Sequence, residues 1–228
     1  DSQLERFTAT SVIIERMRQA MMLSGPQFLG IQESKSILSW LEQNQPELVQ
    51  ELQRIMPLSR FSAVLQRLAS EGVPLRAVRL IVESLIEYGQ HEREPEALAD
   101  YARIALKAQI YHQYSEVDGL HAWLLSPQSE NILREALRQT QTGVFFALDE
   151  NNSAAFISLL NQAFVLRAKS KSVMLVAQDL RSPLRTLLLE EFNHVPVLSF
   201  AELGSTSKVK VLGRIDLGQE ALMRGAAA

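Results

Sequence analysis

The chain has 228 residues, of which 46% are hydrophobic and 21% are charged, a composition typical of an ordinary globular protein. It contains no cysteine, which excludes disulfide frameworks, thiol nucleophiles and every cysteine-ligated zinc or iron–sulfur centre. The formal net charge is −3, with −4 in residues 1–100 and +1 in residues 101–228, so the chain lacks the basic half expected of a protein that binds duplex DNA or anionic membranes.

The apolar runs of the sequence are short, and none approaches the roughly 20 residues needed to cross a bilayer. The chain begins at Asp1 without a charged and then apolar leader. We therefore expect no signal peptide, and the missing initiator methionine indicates a piece excised from a longer protein.

Helical periodicity extends over residues 11–114, and prolines and glycines predict where each helix ends. The first apolar stripe, over residues 12–21, stops at the Ser-Gly-Pro of residues 24–26. The next two predicted helices are bounded by Pro46 and Pro57, because a proline neither continues a helix nor allows helical geometry before it.

A further helix is predicted by apolar residues between Phe61 and Leu68, and a left-handed C-terminal cap is expected at Gly72. Pro74 then suits the first turn of a helix that stops at Gly89. A last helix is predicted from Pro95 to about residue 114. The sequence thus predicts five or six short helices around one core.

After residues 118–119 the pattern changes to short apolar runs that alternate with helices. Strands are expected near residues 121–125, 145–148, 173–177, 195–198 and 209–215, and helices near 130–139, 150–164 and 182–192. Alternation of this kind predicts an α/β layer with crossover connections and some parallel pairing.

The predicted fold class is therefore α+β with several subdomains, an all-helical subdomain followed by a smaller α/β subdomain. We divide the chain into residues 1–24, the end of a preceding subdomain with a linker helix, residues 25–115, the helical subdomain, and residues 116–228, the α/β subdomain with a short tail.

No motif of known catalytic chemistry occurs in the sequence. Gly213 and Gly218 have the spacing of a phosphate-binding loop, but Gln and Glu follow where Lys and Ser or Thr are required. Glu190, Glu191 and His194 could form a metal or acid–base cluster, although such a group at a helix end is more often a surface pair. We predict no catalytic residue, no cofactor and no metal ligand.

Residues 65–76 and the helix that follows resemble a helix-turn-helix, in which Arg76 and Arg79 are of the right type to reach base edges. Glu83 stands four residues after Arg79, as in an ordinary intrahelical ion pair, and the surrounding hundred residues are acidic. A winged-helix nucleic-acid-binding regulator is kept as the alternative function. A small hydrolase or transferase without a recognised motif is a third possibility.

The run from Val64 to Glu83, VLQRLASEGVPLRAVRLIVE, resembles the pattern of the flagella/hypersensitive-response/invasion export-pore family. The run from Leu98 to Ile110, LADYARIALKAQI, is similar to a second motif of that family at the expected separation. The α/β half, which ends in KVKVLG at residues 208–213, is similar to the family's C-terminal subdomain. Members of this family are the large export-gate subunits of type III secretion systems.

The resemblance implies a cytosolic platform without catalytic activity, built as a homo-oligomeric ring, a nonamer, beneath the export channel of the bacterial inner membrane. The implied partners are export chaperone–substrate complexes, the gatekeeper protein and the stalk protein of the associated ATPase, with no nucleic acid. Contact with the membrane would be made only through an N-terminal transmembrane region that is missing from this chain, which would lie on the cytoplasmic side.

Within this framework the helical subdomain would build the ring and the α/β subdomain would line docking clefts. We expect ring contacts at Arg76, Arg79, Glu83 and Arg103, although solvated salt pairs worth roughly 0–1 kcal/mol explain the same charges. Because loops on a rigid scaffold are where recognition usually occurs, we expect partner docking at Asn151, Asn152, Ser205, Thr206 and Ser207.

Overall fold

A computed structural model of the chain describes residues 29–140, 143–165, 171–189 and 192–218, and these form nine α-helices and six β-strands. The chain divides into two compact units, Asp1–Leu106 and Lys107–Ala228. The helix predicted over residues 12–21, and all of the segment 1–24, lie outside the described residues.

The first unit is helical. Its helices are α1 (Ile31–Glu42), α2 (Pro46–Ile55), α3 (Leu58–Ser70), α4 (Val78–Tyr88) and α5 (Pro95–Ala105), with a 3-10 turn at Leu75–Ala77 before α4. Prolines open α2 and α5 at the first helical position, where the missing N–H has no intrahelical acceptor to lose. The helix boundary predicted at Pro46 and the helix start predicted at Pro95 are therefore confirmed.

One face of each of these helices is buried in the core of the unit. The fully enclosed side chains include Val49, Leu52, Phe61, Val64, Leu65, Leu68, Ile81, Val82, Leu85, Leu98 and Ala102. In contrast to these enclosed side chains, Trp40 on α1 is 58% exposed. Tyr88 at the end of α4 stacks on Tyr101 of α5 with ring centroids 4.0 Å apart.

The end of α3 is a Schellman motif. The N–H of Gly72 donates to the carbonyl of Ala69 at 3.0 Å, and the N–H of Val73 donates to the carbonyl of Leu68 at 3.0 Å. Gly72 has a φ of 70°, a backbone conformation that glycine adopts at no steric cost. The left-handed cap predicted at this glycine is confirmed, and it fixes the direction in which the chain leaves α3.

The second unit combines helices and strands. In chain order its elements are α6 (Lys107–Tyr114), β1 (Leu120–Leu125), α7 (Pro127–Ala136), β2 (Leu137–Thr140), β3 (Gly143–Phe146), α8 (Glu150–Leu160), β4 (Ser172–Val176), α9 (Gln178–Leu188), β5 (Val197–Ser199) and β6 (Val209–Ile215). A short π-helix, Asn161–Val165, follows α8, and a 3-10 turn, Phe200–Glu202, follows β5.

Four strands form a parallel sheet in the order β5-β4-β1-β6, and β2 and β3 form a separate antiparallel hairpin. Parallel neighbours need crossover connections, which explains why helices separate the strands in the sequence. The core of this unit includes Trp123 and Met174 from the sheet with Phe156, Leu180 and Leu184 from the helices. The predicted alternation and parallel pairing are confirmed.

Gly213 of β6 lies opposite Trp123 of β1 in the sheet register. A Cβ atom at Gly213 would meet the indole ring of Trp123. Glycine within a strand often marks such a close approach.

Several element boundaries differ from the prediction. The helix expected from Pro74 is α-helical only from Val78, and the strand expected near residues 145–148 spans Gly143–Phe146. The helix predicted over residues 130–139 ends at Ala136, because the chain from Leu137 pairs with β3. The helix predicted to begin at residues 182–183 begins at Gln178 and contains Pro183, and the last predicted helix of the first half is interrupted at Leu106. The boundary predicted between residues 115 and 116 stays a prediction, while the compact units divide between Leu106 and Lys107.

Candidate interaction surfaces

A buried ionic triad joins the end of α3 to α5. The Arg103 Nη1 atom lies 2.9 Å from Glu71 Oε2, and the Arg67 Nε atom lies 2.8 Å from Glu71 Oε1. Only 3% of the Arg103 side chain and 5% of the Glu71 side chain are exposed. Glu71 is also the C-cap residue of α3, so the triad attaches the Schellman turn to α5.

Arg103 was expected at a ring contact, but the structure places its guanidinium in this buried triad within its own chain. A side chain enclosed in this way presents no charge to another protomer. The periodicity of the sequence could not show this, because the partner of Arg103 stands 32 residues away at Glu71.

The other expected ring residues lie on an exposed edge, which we call the cationic edge and define as Arg76, Arg79 and Glu83. The Arg79 Nε atom lies 2.7 Å from Glu83 Oε1, with 64% of the Arg79 side chain exposed. Arg76 is exposed on the 3-10 turn, and no ion pair or hydrogen bond engages its guanidinium in the part of the chain that the structure describes.

The N-terminus of α8 carries Asn151 and Asn152. The Asp149 carboxylate caps this helix, since it accepts hydrogen bonds from the backbone N–H of Asn152 at 2.8 Å and from the Asn152 amide at 2.7 Å. The hydrogen bond from the Asn152 backbone is the main cause that holds the pKa of Asp149 below its ordinary value. Asn152 is therefore engaged in the cap, while Asn151 is exposed.

The segment Ser205–Ser207 forms a closed turn before β6. Ser207 donates its backbone N–H to the Gly204 carbonyl at 3.0 Å, and its hydroxyl accepts from the Gly204 N–H at 3.0 Å. These bonds leave Ser205 and Thr206 exposed at the tip of a turn whose base is fixed.

A cluster that the sequence analysis missed surrounds the start of β1, where Glu116, Asp118 and His121 place ligand-type atoms within 4.8 Å of one another. The Lys210 ammonium donates a hydrogen bond to Asp118 Oδ2 at 2.7 Å, and His121 Nε2 lies 2.8 Å from Asp118 Oδ1. The hydrogen bond from Lys210 is the main cause that lowers the pKa of Asp118. Because an ammonium group already neutralises this carboxylate, the arrangement is that of a salt-bridge network rather than a metal centre. The close spacing of Glu116, Asp118 and His121 in the sequence could have indicated this cluster.

The cluster weighed at Glu190, Glu191 and His194 cannot be assembled here, because residues 190 and 191 lie outside the described residues.

A second buried ion pair was also missed. Arg181 of α9 and Glu202 of the 3-10 turn have completely enclosed side chains, with Arg181 Nε 3.7 Å from Glu202 Oε1. Arg185, one turn further along α9, donates to the carbonyls of Asn193 and Val195, each at 3.1 Å. These two arginines hold the segment around β5 against α9.

Apolar side chains are exposed on the β2–β3 hairpin, where Val144 is 42% and Phe145 is 45% exposed.

The helix-turn-helix alternative is not favoured, because one of its two arginines is engaged with Glu83 on its own helix. Among the described helices, none combines the length and the apolar character needed to span a membrane.

Known proteins match this chain over most of its length. The hypersensitivity response secretion protein HrpI of Pseudomonas syringae pv. syringae is 61% identical over 215 residues, which is 94% of this chain and 31% of that protein. The harpin secretion protein HrpI of Erwinia amylovora is 58% identical over 213 residues, 93% of this chain and 30% of that protein. The chain thus spans about a third of the length of these curated relatives.

Among solved structures, the nonameric SctV-C of EPEC superimposes with a TM-score of 0.81 at 33% identity, over 91% of this chain and 64% of that one. The family model for FHIPEP matches residues 2–208. The resemblance to the export-pore family is confirmed, and the chain belongs to the FHIPEP family, whose solved members include the cytosolic domains of type III secretion export gates.

Proposed function

We propose that this chain is the ring-forming and partner-docking portion of a type III secretion export gate. The observation that carries the proposal is the joint similarity to the HrpI secretion proteins and to a nonameric assembly over nearly the whole chain. A closed ring of nine copies uses two different surfaces of each copy at every interface, because only a two-fold interface can pair a surface with itself.

The helical unit would supply the ring contact through the cationic edge. Arg76 supports this assignment because its exposed guanidinium makes no ionic contact in the described part of its own chain. Arg79 and Glu83 form an exposed pair that contributes little to stability and can exchange partners at an interface. Arg103 is left out, because it is buried in the triad.

The second unit would dock export chaperone–substrate complexes, the gatekeeper and the ATPase stalk protein. Asn151, which lies in the first turn of α8 and not in the expected loop, and Ser205 and Thr206 on the turn before β6 are the exposed residues among the predicted docking positions. Their elements are fixed by the Asp149 cap and the Gly204–Ser207 turn. A related CdsV protein of Chlamydia pneumoniae has been solved in complex with CdsO, so at least one relative binds a second protein. The complete protein would be anchored in the bacterial inner membrane, with this portion on its cytoplasmic side.

Mass photometry and analytical ultracentrifugation over a range of concentrations test the ring. We expect concentration-dependent assembly of the parent chain. We expect Arg76→Glu with Arg79→Glu to raise the concentration needed by about tenfold, since a surface complementary to two arginines would not match two glutamates. Circular dichroism checks that the variant is folded. Arg54→Glu is the matched control, because Arg54 is an arginine of the same unit with 75% of its side chain exposed.

Assembly of the double variant that equals that of the Arg54→Glu control would exclude the cationic edge from the interface. Docking is tested separately by measuring the binding of a purified export chaperone–substrate complex. Ser205→Arg with Thr206→Arg should weaken this binding, whereas Ser39→Arg on α1 should leave it unchanged. Equal binding by both variants would remove the 205–207 turn from the docking surface.

A further inference from the structure

The parallel sheet of the second unit ends at β6, and within the described residues no strand pairs with the outer side of β6. The sheet order is β5-β4-β1-β6, so β6 is bonded only to β1. At the other end of the sheet, β5 has three residues with buried side chains, whereas β6 has seven residues. Ile215 at the end of β6 lies in the core with Trp123 of β1. We call the outer side of this strand the β6 edge, and its position is fixed by the core.

Hydrogen bonds at the two ends of β6 show which of its backbone groups face outward. The first residue of β1 donates its N–H to the Lys208 carbonyl, and the residue after β1 donates its N–H to the Ile215 carbonyl, each at 2.9 Å. Because successive residues of a strand turn their backbone groups to opposite sides, Val209, Val211 and Arg214 turn theirs away from β1. No hydrogen bond between described residues engages these outward groups. They form a row that another strand could pair with.

The side chains along the β6 edge make it positively charged. Lys208, Lys210 and Arg214 are exposed, and of these only Lys210 has an ion pair among the described residues, with Asp118 at 2.7 Å. Val211 is apolar and 51% exposed. Because side chains alternate along a strand, Lys208 and Lys210 lie on one face and Val211 lies on the other. A strand that fits this edge therefore carries carboxylates on one face and an apolar side chain on the other.

The β2–β3 hairpin is an exposed sheet too, but it fits a partner strand less well. Each of its strands has four residues, and a two-stranded sheet alone is marginally stable. The guanidinium of Arg138 on β2 is already engaged, since it donates to the carbonyls of Glu135 at 2.8 Å and Leu137 at 2.7 Å. The β6 edge is longer, is anchored in a four-stranded sheet and keeps the charges of Lys208 and Arg214 without an ion pair in the described chain.

We propose that the β6 edge binds an extended, acidic segment of another protein by strand addition. Unpaired N–H and C=O groups along a strand are matched by the backbone of a second strand, and the side chains that alternate along it give specificity. The matching segment alternates Glu or Asp with β-branched residues, so that carboxylates lie beside Lys208 and Lys210 and an apolar side chain lies beside Val211.

A second copy of this chain is disfavoured as the occupant, because pairing two β6 edges would bring like charges together. The turn at residues 205–207, where partner docking is predicted, leads directly into β6. The proposal goes beyond the proposed function, since it concerns the second unit alone and does not require the ring.

Isothermal titration calorimetry of the full chain with a synthetic peptide, in which glutamate and valine alternate, tests the proposal. We expect saturable binding. The control peptide has the same composition, with its glutamates and its valines in two separate blocks, and should bind about tenfold more weakly, since it cannot place carboxylates and valines on opposite faces. Equal affinity for the two peptides, or no binding of either, would overturn the proposal.

Backbone methylation of the peptide separates strand pairing from attraction between charges. One peptide carries N-methyl groups on every valine, and another carries them on every glutamate. Because N–H groups point alternately to the two sides of a strand, one of these peptides keeps every N–H that faces β6. It should bind like the parent peptide, and the other should bind at least about tenfold more weakly. Equal binding of the two methylated peptides would show that no strand is added.

Amide hydrogen exchange measured by NMR locates the contact on the chain. On addition of the alternating peptide, exchange at Val209 and Val211 should slow by at least about tenfold, because their N–H groups acquire partners. Lys210 is the internal control, since its N–H already faces β1. Slower exchange confined to other parts of the chain would place the peptide elsewhere and overturn the proposal.

Two variants of the chain give an independent test. Val211→Pro removes an outward N–H at a position where an edge strand tolerates proline, and should weaken binding about tenfold, whereas Val211→Thr keeps the N–H and should not. Lys208→Glu with Arg214→Glu should lose the glutamate peptide and bind one in which lysine and valine alternate. Circular dichroism checks that each variant is folded.

Lys107→Glu with Arg138→Glu is the matched control for the charge variant, because it changes two exposed cations of the same unit outside β6. An equal change of peptide preference in this control would contradict the proposal. Residues 219–228 follow β6 and lie outside the described residues. Binding that appears only after their removal would assign the edge to the chain's own end and would likewise overturn the proposal.

Discussion

Arg103 Nη1 lies 2.9 Å from Glu71 Oε2, and this contact joins two helices whose residues stand 32 positions apart in the chain. Both side chains are almost completely enclosed, and Arg67 shares the same carboxylate. A buried carboxylate between two guanidinium groups is stable only while all three charges are present. Each charge loses its hydration on burial, and only the attraction of its partners compensates for that loss.

We expect Glu71→Gln to lower the free energy of unfolding by about 3–5 kcal/mol, because it removes the negative charge that pairs with the enclosed Arg103 and the mostly buried Arg67. Urea unfolding followed by circular dichroism measures the change. Glu83→Gln is the control, since it removes a carboxylate from an exposed pair of the same unit and should cost less than about 1 kcal/mol. Equal losses in the two variants would show that the triad adds nothing beyond a surface pair.

Gly213→Ala should destabilise the second unit by roughly 1–3 kcal/mol, because the new methyl group must displace the indole ring of Trp123 or the backbone of β6. Thermal unfolding measured by circular dichroism would show the loss. Gly204→Ala is the comparison, since its Cβ would lie at an ordinary 3.6 Å from Ser207 Oγ. A melting temperature unchanged by Gly213→Ala would mean that the ring has free space beside it.

The buried pair of Arg181 and Glu202 should show strong coupling. Arg181→Met alone removes the cation beside the enclosed Glu202 carboxylate and should cost about 3–5 kcal/mol. Arg181→Met with Glu202→Leu removes both charges and should cost less than the sum of the single changes. A double-mutant cycle by urea unfolding measures the coupling. Strictly additive losses would show that the two charges act independently.

Asp179 should make stability depend on pH. The hydrogen bond from Arg134, with Nε 2.7 Å from Asp179 Oδ2, is the main cause that lowers the pKa of this carboxyl in the folded chain. A lowered folded pKa gives stability that is complete above the unfolded value of about 3.9 and is lost as the pH falls through the folded value. Because the pair is partly exposed, its contribution should stay below about 1 kcal/mol.

The melting temperature of the parent chain should therefore exceed that of Asp179→Asn near pH 7, and the difference should shrink as the pH falls below about 4. Glu135→Gln, at an exposed position of the same helix as Arg134, serves as the control. A difference that widened in acid would contradict the assignment.

The helix boundaries of the first unit could be predicted because their causes are local. Pro46 and Pro95 start helices through their fixed φ, and Gly72 ends one through its positive φ. Strand β2 could not be predicted in this way. Its Leu-Arg-Gln-Thr sequence suits a helix equally well, and only pairing with β3 makes it a strand.

The charged residues also divide into those whose contacts have a local cause and those whose contacts depend on packing between elements. The i to i+4 spacing of Arg79 and Glu83 predicts their ion pair correctly, because a helix brings those positions together. The enclosure of Arg103 and the pairing of Arg181 with Glu202 depend on how separate elements pack. No periodicity encodes that packing, so the candidate surface could be reduced to Arg76, Arg79 and Glu83 only with the structure.

The chain has two tryptophans, and the structure places the exposed Trp40 in one unit and the enclosed Trp123, 6% exposed, in the other. Indole emission moves to longer wavelength when a ring enters water, so the spectral shift on denaturation would come chiefly from Trp123 and would report the second unit. Far-ultraviolet dichroism reports helices in both. Unfolding curves from the two signals that fail to coincide would reveal that the halves of the chain melt as separate cooperative units.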